Sequence, residues 1–359
     1  MRSLSLKDRE PLSRFALICL LLTISISTSG CATLFGIKRT VTVPPLLGPL
    51  VEAGTPQLIA EINRIAAVRS IRGKVDIQFQ DTSFAESGLA EKYRTADGTV
   101  ILQRPGQIFL SIQAPFVGTD IAQMTSDGER FRVAVLRGDE KYRRFVSGTN
   151  NASYRRIEAS EPTSARNDNQ KNGDKKRQSM SDQRTVSVLS SLRPQHFTDA
   201  LLPRPIMPRT ETGFVYAQTE FYQEEADTRP NAKKKETRVV RAYYLLDELT
   251  PGGENGVRLA RRFWFDRVGG IHLARMQSFD GKGALVTDVA YSDPKPFGEE
   301  GSVQLPSRIE LTRPQDHYKI SLTYQAPEAV VLNRQYDAQV FVLENKWQLP
   351  EVDLDAKKP

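Results

Sequence analysis

The chain has 359 residues, with 50 Lys and Arg against 43 Asp and Glu for a formal net charge of +7, and it carries only two cysteines and three histidines. Two cysteines exclude a disulfide framework or a thiolate metal site, each of which needs several Cys at set spacing. The small basic surplus is drawn largely from two hydrophilic stretches and supplies no clustered basic face for nucleic acid, while the length allows one large β domain or two ordinary ones.

The chain opens with Arg2, Lys7, Arg9 and Arg14, followed by the apolar run Phe15–Ile26. That run is shorter than the roughly 20 residues a helix needs to cross hydrocarbon, and small residues follow it, so the pattern predicts a signal peptide over 1–30 rather than an anchor helix. Cys19 would leave with it, which leaves Cys31 without a disulfide partner. Thr28, Ser29 and Gly30 before Cys31 resemble the lipobox of bacterial lipoproteins, with Thr28 where the pattern prefers Leu. The resemblance implies a diacylglycerol on the Cys31 thiol and an acyl chain on the new N-terminus. Two or more chains hold a membrane far better than one, so the protein would be tethered with its body in water. Ala32 and Thr33, with no Asp after the cysteine, resemble an outer-membrane sorting signal.

Residues 31–54 mix Pro, Gly and apolar residues without a period and read as a lipidated N-terminus and tether. A single β domain is expected over 55–347. A helix is predicted from Thr55, as cap, through Arg69, with Pro56 at the first helical position and Leu58, Ile62, Ile65 and Ala66 on one stripe. From Ile71 the period changes to 2: Val75, Ile77 and Phe79 alternate with Asp76, Gln78 and Gln80. Further strands are predicted in "TVILQRP", "QIFLSIQAP" and "RFRVAVLRG", separated by "ADG", "RPGQ" and "SDGE" read as turns. The stretch 150–184 is too polar to bury much surface and is expected as a flexible insertion, or else as a linker, before "TVSVLSS" resumes. A second flexible insertion is expected at 224–236.

Between them, a short helix from Pro194 to Leu202 groups Phe197, Leu201 and Leu202, and the prolines after it stop it. The rest is again β: "RLARRFWFD", "GIHLARMQSFD", "ALVTDVAYSD", "SRIELTRP" and "HYKISLTYQ", in which Tyr318, Ile320, Leu322 and Tyr324 share a face. Residues 348–359 read as a C-terminal tail. About eleven or more strands against two helices make the fold mainly β. Such a sheet must curl or close over its apolar face, which two short helices plug without filling, leaving an apolar concavity.

Four stretches, in order along the chain, resemble the LolA/LolB family of lipoprotein carriers and receptors, its outer-membrane receptor branch most closely. They are "IRGKVDIQFQ" (Ile71–Gln80), "APFVGTDIAQMTSDGERFRV" (Ala114–Val133), "SLRPQHFTDALLP" (Ser191–Pro203) and "LPSRIELTRPQDHYKISLTY" (Leu305–Tyr324). The resemblance implies a half-open antiparallel β-barrel with a helical lid or plug over a cavity for lipoprotein acyl chains. It also implies transient contact with a soluble periplasmic carrier, and an outer-membrane, periplasm-facing location. Leu58, Ile62, Ile65, Leu192, Phe197, Leu201, Leu202, Tyr318, Ile320, Leu322 and Tyr324 are then the candidate cavity or lid residues. Pro115, Phe116 and Val117 match the family's membrane-insertion loop, where Phe116 either meets the bilayer or packs at the barrel rim.

No catalytic constellation is evident. His196, His272 and His317 fall in no metal-ligand spacing, "RVGGIH" reads as a hairpin turn, and the neighbouring pairs Glu224-Glu225 and Glu299-Glu300 sit in polar stretches as solvated carboxylates. The expectation is a monomeric, non-enzymatic lipoprotein without metal or cofactor. The alternatives are a lipid sensor or scaffold with an RseB-like half-barrel, or a structural lipoprotein whose cavity is closed by its own side chains.

Overall fold

The computed structural model describes residues 43–82, 91–92, 95–114, 118–137, 140, 143–150, 194–207, 213–227, 229, 238–251, 256–298, 301 and 303–356. The expected signal peptide, Cys31, the loop Pro115, Phe116 and Val117, Leu192, all but Asn150 of the first expected insertion, and 228 and 230–236 of the second lie outside them. The chain divides into Met1–Pro45, of which only 43–45 are described, and Leu46–Pro359, which holds every element below.

Among the described residues two α-helices, α1 (Thr55–Ala66) and α2 (Pro194–Leu201), accompany sixteen strands. The first seven are β1 (Ser70–Asp81), β2 (Glu91–Lys92), β3 (Ala96–Gln103), β4 (Gln107–Gln113), β5 (Asp120–Asp127), β6 (Arg130–Val135) and β7 (Arg144–Thr149). After α2 come β8 (Val215–Ala226), β9 (Arg238–Pro251), β10 (Val257–Asp266), β11 (His272–Phe279), β12 (Leu285–Phe297), β13 (Val303–Arg313) and β14 (Tyr318–Tyr324). Two short strands follow, β15 (Val331–Leu332) and β16 (Glu351–Asp353). The protein is mainly β, as expected.

One sheet runs β16-β7-β6-β5-β4-β3-β1-β14-β13-β12-β11-β10-β9-β8, with β2 and β15 paired to the ends of β1. All pairs are antiparallel except β16 with β7. The sheet is open, ending on β16 and β8. The first long strand lies at its centre: Val75 of β1 pairs with Gly98 of β3 on one side and Tyr324 of β14 on the other. Short α2 touches β4 and β5 on one side of that centre and β13 on the other, so the sheet curls around it.

Several boundaries differ from the sequence reading. "ADG" is strand: Gly98 lies inside β3, where a Cβ would come within 2.7 Å of the Ser111 carbonyl and 2.6 Å of Ile77 Cδ1, so glycine is required by close approach rather than by a turn. "RPGQ" and "SDGE" do turn the chain, with Gly106 and Gly128 at φ +65° and +104°. The tether is shorter than expected, because Leu47 N–H donates to Val240 O and Val51 N–H to Arg267 O, each at 2.9 Å. Asn150, taken as the start of an insertion, is buried and donates to Ser126 Oγ at 2.8 Å. Glu224, Glu225 and Ala226 extend β8 rather than beginning a loop. The tail is no tail: β16 pairs with β7, and Leu349 and Leu354 are buried.

Candidate functional site

Gly54, not Thr55, caps α1; Gln57 Oε1 accepts the Gly54 N–H at 3.1 Å, and Pro56 occupies the first turn, where its missing N–H costs nothing. The Thr55 hydroxyl instead donates to Gln218 Oε1 on β8 at 3.0 Å. The stripe Leu58, Ile62, Ile65 faces the sheet and is buried. From α2 and its tail, Phe197, Ala200, Leu201, Leu202 and Ile206 point into the same space. β14 supplies Tyr318, Ile320, Leu322 and Tyr324, the last three in register with Phe79, Ile77 and Val75 of β1 respectively.

These side chains form one continuous apolar cluster with Phe263, Phe265, Met276, Tyr291 and Phe297 from the far half of the sheet. Among the described residues, the space expected as a concavity is packed with the protein's own side chains. The large aromatics of β10 and β12, with the tail of α2 through Ile206, supply volume that two helices alone would not. Among the described residues the buried Tyr324 hydroxyl has no hydrogen-bond partner, and burial pushes its phenol well above the ordinary range.

Eight residues are too few for a helix to persist alone in water, so α2 stands on its tertiary contacts. Tyr291 Oη donates to Ala200 O at 2.9 Å, and His196 Nδ1 lies 2.8 Å from Tyr318 Oη. Asn63 of α1 exchanges two hydrogen bonds with the backbone of Ile206: Nδ2 to its carbonyl at 3.1 Å, and its N–H to Oδ1 at 2.8 Å. Arg104, in the β3–β4 turn, donates to Leu202 O at 3.2 Å, Pro203 O at 2.7 Å and Val68 O at 3.1 Å. Burial pushes its guanidinium below the ordinary range, partly offset by the Asp199 charge.

Farther along, Arg261 grips buried Glu248 with two donors at 2.7 and 2.6 Å and donates to Arg204 O at 3.2 Å, tying the α2 tail to β10. Burial and then the Glu248 charge push the Tyr216 phenol, which donates to that carboxylate, well upward. Arg267 lies over the Tyr244 ring at 4.2 Å and meets Glu52 at 2.6 Å and Glu220 at 3.1 Å, fastening the segment before α1 to the sheet.

Thus the structure brings Leu58, Ile62, Ile65, Phe197, Leu201, Leu202, Tyr318, Ile320, Leu322 and Tyr324 together, while Cys31, Pro115, Phe116, Val117 and Leu192 lie outside the described residues. Sequence reasoning missed Asn63, Arg104, Tyr291 and Arg261. A polar residue beside the α1 stripe was a faint sign of Asn63, and nothing local marked the others. Among the described residues no cluster of three His, Cys, Asp or Glu side chains is placed to hold a metal ion, and no helix is long and apolar enough to cross a membrane.

No family model matches the chain, and no curated protein matches it. Solved structures do. A DUF1329 family protein from Desulfovibrio piger is 10% identical, with a TM-score of 0.41 over 80% of this chain and 95% of that one. A LolA superfamily protein from Nitrosomonas europaea is 11% identical, with a TM-score of 0.36 over 81% and 99%. A proposed outer membrane lipoprotein-sorting protein domain from Vibrio parahaemolyticus is 11% identical, with a TM-score of 0.30 over 79% and 94%. At those scores none of the three decides what this chain does.

Proposed function

We propose that the chain is a non-enzymatic envelope lipoprotein, anchored through Cys31, that takes acyl chains against the inner face of its sheet and helps place lipoproteins in the outer membrane. The observation that carries this reading is α2, a helix too short to hold itself, seated in an apolar interior and retained by a few hydrogen bonds. Its departure would uncover Tyr318, which His196 meets, and the apolar residues of β4, β5 and β13 such as Leu110, Met124 and Leu311, leaving a trough lined by aliphatic and aromatic groups, the chemistry that receives an acyl chain. The lipobox resemblance supplies the anchor, and the loop around Phe116 the contact with the acceptor membrane. The filled interior equally favours the structural alternative, in which α2 never leaves.

Mass spectrometry of lipid co-purified after mild extraction separates the two. The wild-type chain is expected to carry acylated lipid. Asn63→Ala, which removes both bonds to Ile206, is expected to carry more and to bind a fluorescent fatty acid more tightly, while its far-ultraviolet circular dichroism stays unchanged. Absence of lipid from both forms, with no transfer of a labelled lipoprotein to vesicles, would leave the structural reading.

A further inference from the structure

A cleft of about 580 Å3 opens where the end of α1 meets the β3–β4 turn and the segment 333–335. Three arginines line it, Arg69, Arg104 and Arg334, together with Gln103, Asn333 and Gln335, and among the described residues no Asp or Glu does. This is unlike the far half of the sheet, where Arg241, Arg262, Arg275 and Arg308 each lie against a carboxylate. Among the described residues, none of the three cleft arginines has a carboxylate within ion-pair distance. Asp199, the acid whose charge reaches Arg104, is already 3.3 Å from Arg204.

The bonds that shape the cleft use the backbone of Arg69 and Arg334 and leave their side chains out. Ser70 Oγ donates to Arg334 O at 2.5 Å, Asn333 N–H to Ser70 O at 2.9 Å, and Arg69 N–H to Asn333 Oδ1 at 2.8 Å. Gln103 accepts from Tyr336 N–H at 2.8 Å, and the Arg334 guanidinium lies 5.8 Å from the Tyr336 ring. Arg104 spends Nε and Nη2 on three carbonyls, and Nη1 takes no part in those bonds. The carbonyl end of α1 would oppose an anion here. That objection is weakened because Ala67 and Val68 N–H groups take Asn63 O and Ile65 O, and Arg104 takes Val68 O.

We propose that this cleft binds a phosphate-bearing anion, either free phosphate or the phosphoester of a lipid headgroup, through Arg69, Arg104 and Arg334. Guanidinium forks match phosphate oxygens two by two, and a cleft without competing carboxylates leaves them for a ligand. The site shares Arg104 with the contacts that seat the tail of α2, whereas Arg69 and Arg334 take no part in them, so the double change at those two positions tests the cleft apart from the apolar interior.

Calorimetric titration of the full chain with inorganic phosphate, dihexanoyl phosphatidic acid and uncharged dihexanoylglycerol tests it. Binding of at least one phosphate compound, and a loss of about tenfold or more in Arg69→Gln/Arg334→Gln, are expected, with Arg308→Gln unchanged as the control. Phosphatidic acid tighter than inorganic phosphate assigns the headgroup; equal affinities assign free phosphate. Should the double variant melt early, Arg334→Gln alone, at an exposed position, carries the same expectation in smaller degree. No phosphate binding, binding unaltered by these changes, or equal binding of dihexanoylglycerol would overturn the proposal.

Discussion

The two halves of the sheet share an inner face and differ on the outer one. Outside β3–β7 the chain lays its own C-terminal segment: Tyr336 pairs its backbone with Gln103, Phe341 is fully buried, Leu343 N–H reaches Thr125 Oγ1 at 3.2 Å, and Leu349 packs with Ala134 and Phe145. Outside β8–β14 there is a ladder of ion pairs instead. Arg262 holds Asp247 by two bonds at 2.6 and 2.7 Å, Arg241 holds Glu225 and Asp266, Arg275 holds Asp288, and Trp264 sits edge-on to Phe221 and Tyr243. Apolar burial contributes about 25 cal/mol per Å2, whereas ion pairs that are partly open to water, like these, contribute on the order of 1 kcal/mol each. The half covered by its own tail should therefore depend on that cover, and the charged half should tolerate loss of any single pair.

The sharpest way to break that contrast is Phe341→Ala. It empties a fully buried ring site over β4 and β5, and is expected to cost about 3 to 5 kcal/mol in denaturant unfolding. A loss below about 1 kcal/mol would mean that the C-terminal segment lies loosely on the sheet and that the two outer faces are energetically alike.

The same contrast governs what could be read from sequence. β1 and β10–β14 alternate because one face meets water, and that alternation was legible. The residues after 348 looked like a tail because Leu349, Val352 and Leu354 are sparse among polar neighbours; their partner β7 lies some 200 positions earlier and leaves no local mark. Asp97-Gly98 is turn chemistry by type, and only the approach of Ser111 and Ile77 makes it strand. In the interior, the apolar stripes of α1 and α2 were legible from their period, but the bonds that seat α2 were not. Asn63 meets Ile206 and Arg104 meets Pro203 across separations that no spacing rule reaches. The filling of the concavity was missed for a related reason: the ring volumes of β10 and β12 count only once the curl of the sheet is known.

The shared inner face offers a sharper test of smaller size. Tyr324→Phe removes a buried hydroxyl that makes no hydrogen bond and leaves the ring against Phe297, at 5.1 Å and nearly perpendicular. Since an unpaired buried polar atom costs about 1–3 kcal/mol, the variant should be more stable by about 1 kcal/mol and melt a few degrees higher. A lower melting temperature would show that the hydroxyl has a partner and that the interior is more polar than the geometry indicates.

The smallest expected effect lies on the charged outer face. Burial alone would raise the Glu310 carboxyl, but Lys319 at 2.5 Å and Arg308 at 2.6 Å more than reverse that and hold it below the ordinary range. A carboxyl depressed in the folded state stabilises the fold above its unfolded pKa, and that contribution drains away as pH falls through the folded value. Glu310→Gln should accordingly lower stability by about 0.5 kcal/mol at pH 7, with the gap between variant and wild type narrowing as pH drops below the usual carboxylate range and closing once Glu310 is protonated. Raising salt should narrow the gap at pH 7 as well, because the group is partly exposed and its field is screened. Paired melting curves across pH and ionic strength check both trends. A gap that survives unchanged at pH 3 would mean that Glu310 acts through packing, and the outer faces of the two halves would then differ less in kind than their side chains suggest.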